Sequence, residues 1–554
     1  MFRRTKAPHP QETPSLAQPA PATADKIASV SVPVSATAGE SRSSSASTMT
    51  PSTAVDVFFL TFNCAKNFID VPVFATHLHT ALKQRAELPD LVVFSLQEVA
   101  PIAYSFIGSY FLNPYLTRYE EALNLAADVL NNPEALEDAP GGDGAISPLT
   151  RATLVAPPVY TLVRSKNVGM TAILLFARDP KTVADVQEAE VGFGAAEMGN
   201  KGAVGLRIVY EGVGSDKSSE MTFVATHLAA MEWNLARRNA NWAAIMRSMT
   251  FDNPEKILQP RKPSGSSSGG ASSSADAQEA GNGRASVEEA VRLLHNQVNE
   301  ESILMQQRLH DISVFKPTSH LFVGGDLNYR ISATSPPPDA DFPSLDPESE
   351  HYYPQFLPLD QLTRERLSGR TLHGLSEHRI EFPPTYKYDI LPAESSTLRD
   401  PLNVRWKFAP HRYPSWTDRI LYLDIAPWTK ARLSKATPEM KVHSYDCMPV
   451  VSSSDHRPVF LRVEVPVIDK VDLIPPKELE DGVSAATVAE WNLDPRMKLP
   501  VTIDPEAWER RAAARKKEVM AGWSMFLWST QEGALILGTF MVAIVLGWWL
   551  YQGW

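Results

Sequence analysis

The 554-residue chain predicts a large α/β sandwich followed by an apolar segment long enough to cross a membrane. Two observations carry this reading. Short apolar runs of strand texture recur between residues 55 and 465, with helical patterns between some of them. Residues 533–551, GALILGTFMVAIVLGWWLY, form a 19-residue stretch without a charge. A hydrophobic content of 44% is enough for a sizeable core, and 21% charged residues is ordinary for a globular protein.

Residues 1–54 are rich in Pro, Ala, Ser and Thr and lack apolar periodicity, so a disordered tail is expected there. Arg3, Arg4 and Lys6 are followed by Pro8 and Pro10 rather than by an apolar run, which argues against a secretory signal. The texture changes at Val55. Val55 to Phe62 reads as a buried strand, and similar runs follow at Leu91 to Leu96, Thr171 to Phe176, Val204 to Val209, Met221 to Thr226, His320 to Val323, Arg419 to Leu423 and Val459 to Val463. Helical spacing is visible at Val71 to Arg85 and Ala236 to Met249. Residues 261–287, mostly Ser, Gly and Ala, are expected to be a low-complexity surface insert, and 334–350 a Pro- and acid-rich loop.

After Pro466 the sequence becomes linker-like, and a linker is expected over 466–530. It carries a basic cluster of Arg510, Arg511, Arg515, Lys516 and Lys517. Residues 533–551, taken as a helix, span about 28 Å, close to the thickness of a bilayer's hydrocarbon layer. Trp523 and Trp528 before the segment, and Trp548, Trp549 and Trp554 near its end, suit the two interfaces. The basic cluster places the preceding domain in the cytosol by the positive-inside rule. A membrane tail anchor is therefore expected. With no Lys or Arg after 551, the endoplasmic reticulum is the favoured membrane.

Composition excludes several classes. Only Cys64 and Cys447 are present, so neither a disulfide scaffold nor a Cys-rich zinc module is available. A net charge of −11 argues against a general nucleic-acid binder. An anionic substrate would need locally concentrated positive charge.

Polar groups cluster where apolar runs end or begin: Asn63, Glu98, His227, Asp326, Asn328, Asp418, Asp455 and His456. Strand ends of a sandwich can converge at one mouth and assemble such residues into one pocket. Carboxylate and amide oxygens suit the hard ion Mg²⁺, whereas zinc is disfavoured without HExxH or a thiolate cluster. There is no Walker loop. An aspartate that takes a proton from water, with histidines on phosphoryl oxygens, describes metal-assisted hydrolysis of a phosphate ester. No single residue points to this; the set together does.

The stretches FNCAKNF (62–68), SLQEV (95–99), VGFGAAEMGNKGAVGLR (191–207), THLAAMEWNLARRNANW (226–242), GGDLNYRI (324–331), FPPTYKYD (382–389), RYPSWTDRILY (412–422) and SSDHRPV (453–459) together resemble the inositol polyphosphate 5-phosphatase family of the endonuclease/exonuclease/phosphatase superfamily. They occur in family order and span about 55 to 465. The resemblance implies a four-layer α/β/β/α sandwich of the DNase I-like kind, here with a C-terminal transmembrane helix. It implies that Glu98 and Asn63 serve Mg²⁺ and that Asp326 activates the attacking water with Asn328. It places His456 on the scissile phosphate with Asp455 beside it, His227 as a second phosphate-side histidine, and Asp418 as an acid supporting the histidines. It also implies that Asn200, Lys201, Tyr386, Lys387 and Arg412 face the inositol phosphates. Two positions before Arg412, where the family often has a base, stands Pro410.

The expected function is Mg²⁺-dependent removal of the 5-phosphate from a phosphoinositide lipid, since a membrane tether favours lipid over soluble headgroups. A nuclease of the same superfamily and a non-catalytic lipid-binding tether are the alternatives.

Overall fold

A computed structural model describes residues 54–132, 157–212, 217–258, 301–392, 401–476, 487, 489 and 491–553. The expected tail, apart from Ala54, and the 261–287 insert lie outside these residues.

Successive strand side chains face opposite ways, and here both faces of the central strands are apolar. In β1 (Ala54–Asn63), Val55, Val57 and Phe59 point to one core while Phe58, Leu60 and Phe62 point to another. β2 (Leu91–Gln97) repeats this with Leu91 and Val93 against Val92, Phe94 and Leu96. Such strands must be covered on both sides.

Two six-stranded mixed sheets result. The first has the order β13-β14-β1-β2-β4-β3, adding β3 (Thr161–Val168), β4 (Thr171–Ala177), β13 (Lys441–Cys447) and β14 (Val459–Pro466). The second has the order β5-β6-β7-β8-β12-β9. It contains β5 (Val183–Gly192), β6 (Gly202–Glu211), β7 (Ser218–His227), β8 (Ser319–Asp326), β9 (Leu375–Ser376) and β12 (Asp418–Leu423). β1 and β2 pair in parallel, as do β7 and β8; the other neighbours are antiparallel. A separate hairpin-like pair, β10 (Tyr388–Ile390) and β11 (Trp406–Phe408), stands beside them.

Three apolar cores separate four layers. The sheets face each other across Phe59, Phe223 and Phe322, whose rings meet edge-on at 6.0 Å and stacked at 5.5 Å. Helices α1 (Val71–Leu82) and α3 (Asn113–Asn131) close the outside of the first sheet. Helix α4 (Leu235–Ser248) closes the second through Trp242, Ile245 and Met246. Asp70 caps α1 by accepting the Val73 amide at 3.2 Å. The expected α/β/β/α sandwich is the observed fold.

The stretch after Pro466 differs from the expected linker. Trp491 packs on buried Trp428 with rings 6.3 Å apart. Helix α5 (Ala507–Ser529) lies against α2 (Ile102–Ile107), and its stripe Ala507, Arg511, Ala514, Glu518, Gly522 and Phe526 is buried. Arg511 is thus an interior residue rather than a solvated juxtamembrane base. Helix α6 (Gln531–Gln552) follows, apolar over most of its length and almost wholly exposed. It is long and apolar enough to span a membrane.

Candidate active site

Register assembles the site. Asp326 ends β8. Parallel β7 brings His227 level with it on one side, and antiparallel β12 brings Asp418 level on the other. In the facing sheet β1 ends at Asn63, level with Gln97, and Glu98 follows. His456 precedes β14 and bridges to Tyr386. The close β7–β8 approach requires the glycine before Asp326: a Cβ on Gly325 would overlap the Thr226 carbonyl oxygen.

Asp326 is the hub. Its Oδ2 accepts from Asn63 Nδ2 at 3.0 Å and lies 3.2 Å from His227 Nε2. Its Oδ1 accepts the Asn328 amide at 3.1 Å. The Asn328 side chain donates to Leu228 O at 3.2 Å and accepts from Arg330. Asn328 and Glu98 both hold left-handed backbone, with φ of 57° and 46°, conformations that non-glycine residues tend to keep where function demands them.

A second centre lies beside the first. His456 Nδ1 sits 2.9 Å from Asp418 Oδ2, which also accepts from Thr385 and Thr417 hydroxyls at 2.7 and 2.9 Å. Ser454 ties this centre to the other sheet, donating to Asn63 O at 2.6 Å and accepting the His456 amide at 3.0 Å. Ligand atoms of Asp326, Asp418 and His456 all lie within 4.8 Å of one another.

Charge is arranged to keep these groups in defined states. Burial works against the Asp326 carboxylate, yet His227, His456 and Lys201 hold its pKa far below the usual range. Burial would lower His456, but Asp418, Asp326 and Asp455 raise it to about 9, so it is an imidazolium at neutral pH. Burial and the neighbouring Lys201 push His227 the other way, toward neutral imidazole. Lys201 falls to about 8, lowered by burial and sustained by Asp326 and Glu98. Burial also raises Asp418, against the pull of His456.

Of the residues expected at the site, Asn63, His227, Asp326, Asn328, Asp418 and His456 meet directly. Lys201 joins them by touching His227 Nε2. Glu98 stands at the rim, paired with Lys66; burial raises its pKa, but His227, Lys66 and Lys201 outweigh this and lower it. It is outside the Asp326–Asp418–His456 cluster. Asp455 pairs with Lys387 at 2.6 Å. The Tyr386 ring lies 4.4 Å from that of His456. Arg412 pairs with Glu232 at 3.2 Å, and Asn200 is exposed on the β5–β6 loop.

Arg330 escaped sequence reasoning. It is buried, binds Asn328, and places Cζ 4.4 Å from the Tyr386 ring centre. A cation buried directly after GGDLNY was its only sequence signal. Lys66, in FNCAKNF, was missed for the same reason: a lone base carries no pattern.

Several buried polar atoms at the site have no protein partner. They include His227 Nδ1, Asp418 Oδ1 and Arg330 Nη1. Oxygen donors dominate, so the residues present fit a hard divalent cation.

A profile described as Endonuclease/Exonuclease/phosphatase family 2 matches residues 60–462. Among curated proteins, type II inositol polyphosphate 5-phosphatase 14 of Arabidopsis thaliana is 30% identical over 277 residues, 50% of this chain and 20% of that one. Inositol-1,4,5-trisphosphate 5-phosphatase 1 of Schizosaccharomyces pombe is 25% identical over 334 residues, 60% of this chain and 22% of that one. The match thus spans about a fifth of the length of these relatives. Among solved structures, the inositol polyphosphate 5-phosphatase domain of SPsynaptojanin, in complex with inositol (1,4)-bisphosphate and calcium ion, is 22% identical with a TM-score of 0.43, covering 75% of this chain and 85% of that one.

Proposed function

We propose that this chain, which belongs to endonuclease/exonuclease/phosphatase family 2, hydrolyses the 5-phosphate of membrane phosphoinositides such as PtdIns(4,5)P2 or PtdIns(3,4,5)P3. The observation that carries the reading is the meeting of Asp326, Asp418 and His456 within 4.8 Å, with Asn63 and His227 bonded to Asp326. The similarity to inositol polyphosphate 5-phosphatases supports the headgroup class.

Asp326 is held from both sheets, by Asn63 and by His227, which suits it to orient and activate an attacking water. Asn328 fixes the second oxygen of that carboxylate. His456, charged and oriented by Asp418, donates to the phosphoryl group, and Asp455 adds to the field that keeps it charged. Neutral His227 offers a second contact without repelling Lys201. Asn200, Lys201, Tyr386, Lys387 and Arg412 take the remaining phosphates. Arg330, pressed on Tyr386, adds a fixed cation. Glu98 and Asn63 would hold Mg²⁺, with Asp326 bonded to Asn63 beside it. When bound, the ion would offset the negative charge that builds on the phosphoryl oxygens.

Helix α6 tethers this domain to a membrane, with the catalytic domain on the cytosolic face of the endoplasmic reticulum and its substrate in the same bilayer. The test is phosphate release from PtdIns(4,5)P2 vesicles by the full chain and by the variants Asp326→Ala and His456→Ala. Release should fall by about 10²-fold or more in each. Wild-type rates in both would remove the assigned site.

A further inference from the structure

Helix α5 lies outside the residues matched by the family profile. It is nevertheless fastened to the β5–β6 loop, which carries Asn200 and Lys201. The fastening is Glu518, which is fully buried. Its Oε1 accepts the backbone N–H of Gly199 at 2.7 Å. Arg511 donates to both carboxylate oxygens at 2.6 and 3.0 Å, and Arg515 to one at 3.2 Å.

The arginines extend the joint. Arg511 Nε reaches Glu190 of β5 at 2.9 Å, and Arg515 donates to Phe106 O of α2 at 2.9 Å. Arg510 pairs with Glu197 of the loop at 2.9 Å. Gly522 lets α5 settle on α2: a Cβ there would sit 2.9 Å from Phe106 Cβ and 3.0 Å from Ile107 N.

A buried carboxylate is costly unless its hydrogen bonds are complete, and here they are. One bond goes to a loop amide two residues before Lys201, whose ammonium touches His227. Beyond Glu518, Gly199 is held by the Met170 amide, which donates to Gly199 O at 3.2 Å. Glu518 therefore fixes one side of the peptide from which Asn200 and Lys201 project.

We propose that Glu518 is a positioning residue for substrate binding: through the Gly199 amide it holds the 193–201 loop, and with it Lys201, beside His227. The helix that leads to the membrane segment is thereby part of the substrate-binding side of the site. This rests on the phosphatase reading given above.

The test uses the full chain in detergent, with Mg²⁺ and inositol 1,4,5-trisphosphate as a soluble probe. Glu518→Ala should raise KM about tenfold with kcat changed less than about twofold, the signature of lost binding rather than lost chemistry. Glu518→Gln keeps an acceptor for Gly199 and should hold KM within about threefold of wild type. Gly522→Leu wedges α5 from α2 with the Glu518 carboxylate intact and should repeat the Ala phenotype. Hydrogen exchange at Gly199 to Gly202 should quicken about tenfold in Glu518→Ala. With an active wild type, an unchanged KM or unchanged exchange in Glu518→Ala overturns the positioning role alone. A wild type that releases no phosphate overturns the phosphatase reading beneath it.

Discussion

Single residues here are set by the burial of charge. Asp326 stays ionised because the His227 hydrogen bond and the charges of His456 and Lys201 offset its desolvation, and His456 stays protonated because three carboxylates surround it. A Glu98→Gln variant should demand more Mg²⁺ for half-maximal rate, by about tenfold, while folding normally; titration of rate against Mg²⁺ reads this directly. Away from the site, His320 of β8 is buried, its Nε2 has no partner, and burial with nearby Arg496 lowers its pKa from 6.5 to about 4. The folded protein therefore refuses a proton that the unfolded chain accepts between these values. This share of stability is complete above pH 6.5 and declines as pH falls toward 4, by at most about 1.4 kcal/mol per pH unit. His320→Leu should flatten the pH dependence of urea unfolding between pH 7 and 5; an identical slope in the variant would contradict this reading.

Elements differ in how plainly they are written. β1, β2, β4, β7, β8, β12 and β14 are buried on both faces, so each is an apolar run that needs no partner to be recognised. Edge strands are not: β3 reads TLVRSKNV and β5 VADVQEAEVG, because one side of each meets water. The stripe of helix α5 reads as linker because Arg511, Ala514, Glu518 and Gly522 are small or charged residues at helical spacing that pack largely through ion pairs, with the apolar contact concentrated at Phe526. The residues that meet around Asp326 are legible as a set because they sit next to those apolar runs. The pairing of His227 with Asp326 follows from strand register, and that of His456 with Asp418 from the loop that leads into β14. Register also makes Gly325 sensitive. Gly325→Ala forces β8 from β7 and should destabilise by about 1–3 kcal/mol, read as a lower unfolding midpoint in urea.

At the scale of the whole molecule, a sandwich whose mouth gathers acids and imidazoles is joined through a packed helix to one apolar span. Ending the chain after Thr530 should move it from the membrane pellet to the soluble fraction and leave kcat on a soluble headgroup unchanged, since α6 is almost wholly outside the packed domain. Everything else depends on what the mouth does. The most direct measurement is the position of the phosphate lost when the full chain acts on PtdIns(4,5)P2 in vesicles, with Mg²⁺ or with chelator. Loss of the 5-phosphate, retention of the 4-phosphate and no turnover in chelator are expected. Loss of the 4-phosphate, or binding of the lipid without turnover in Mg²⁺, would contradict it.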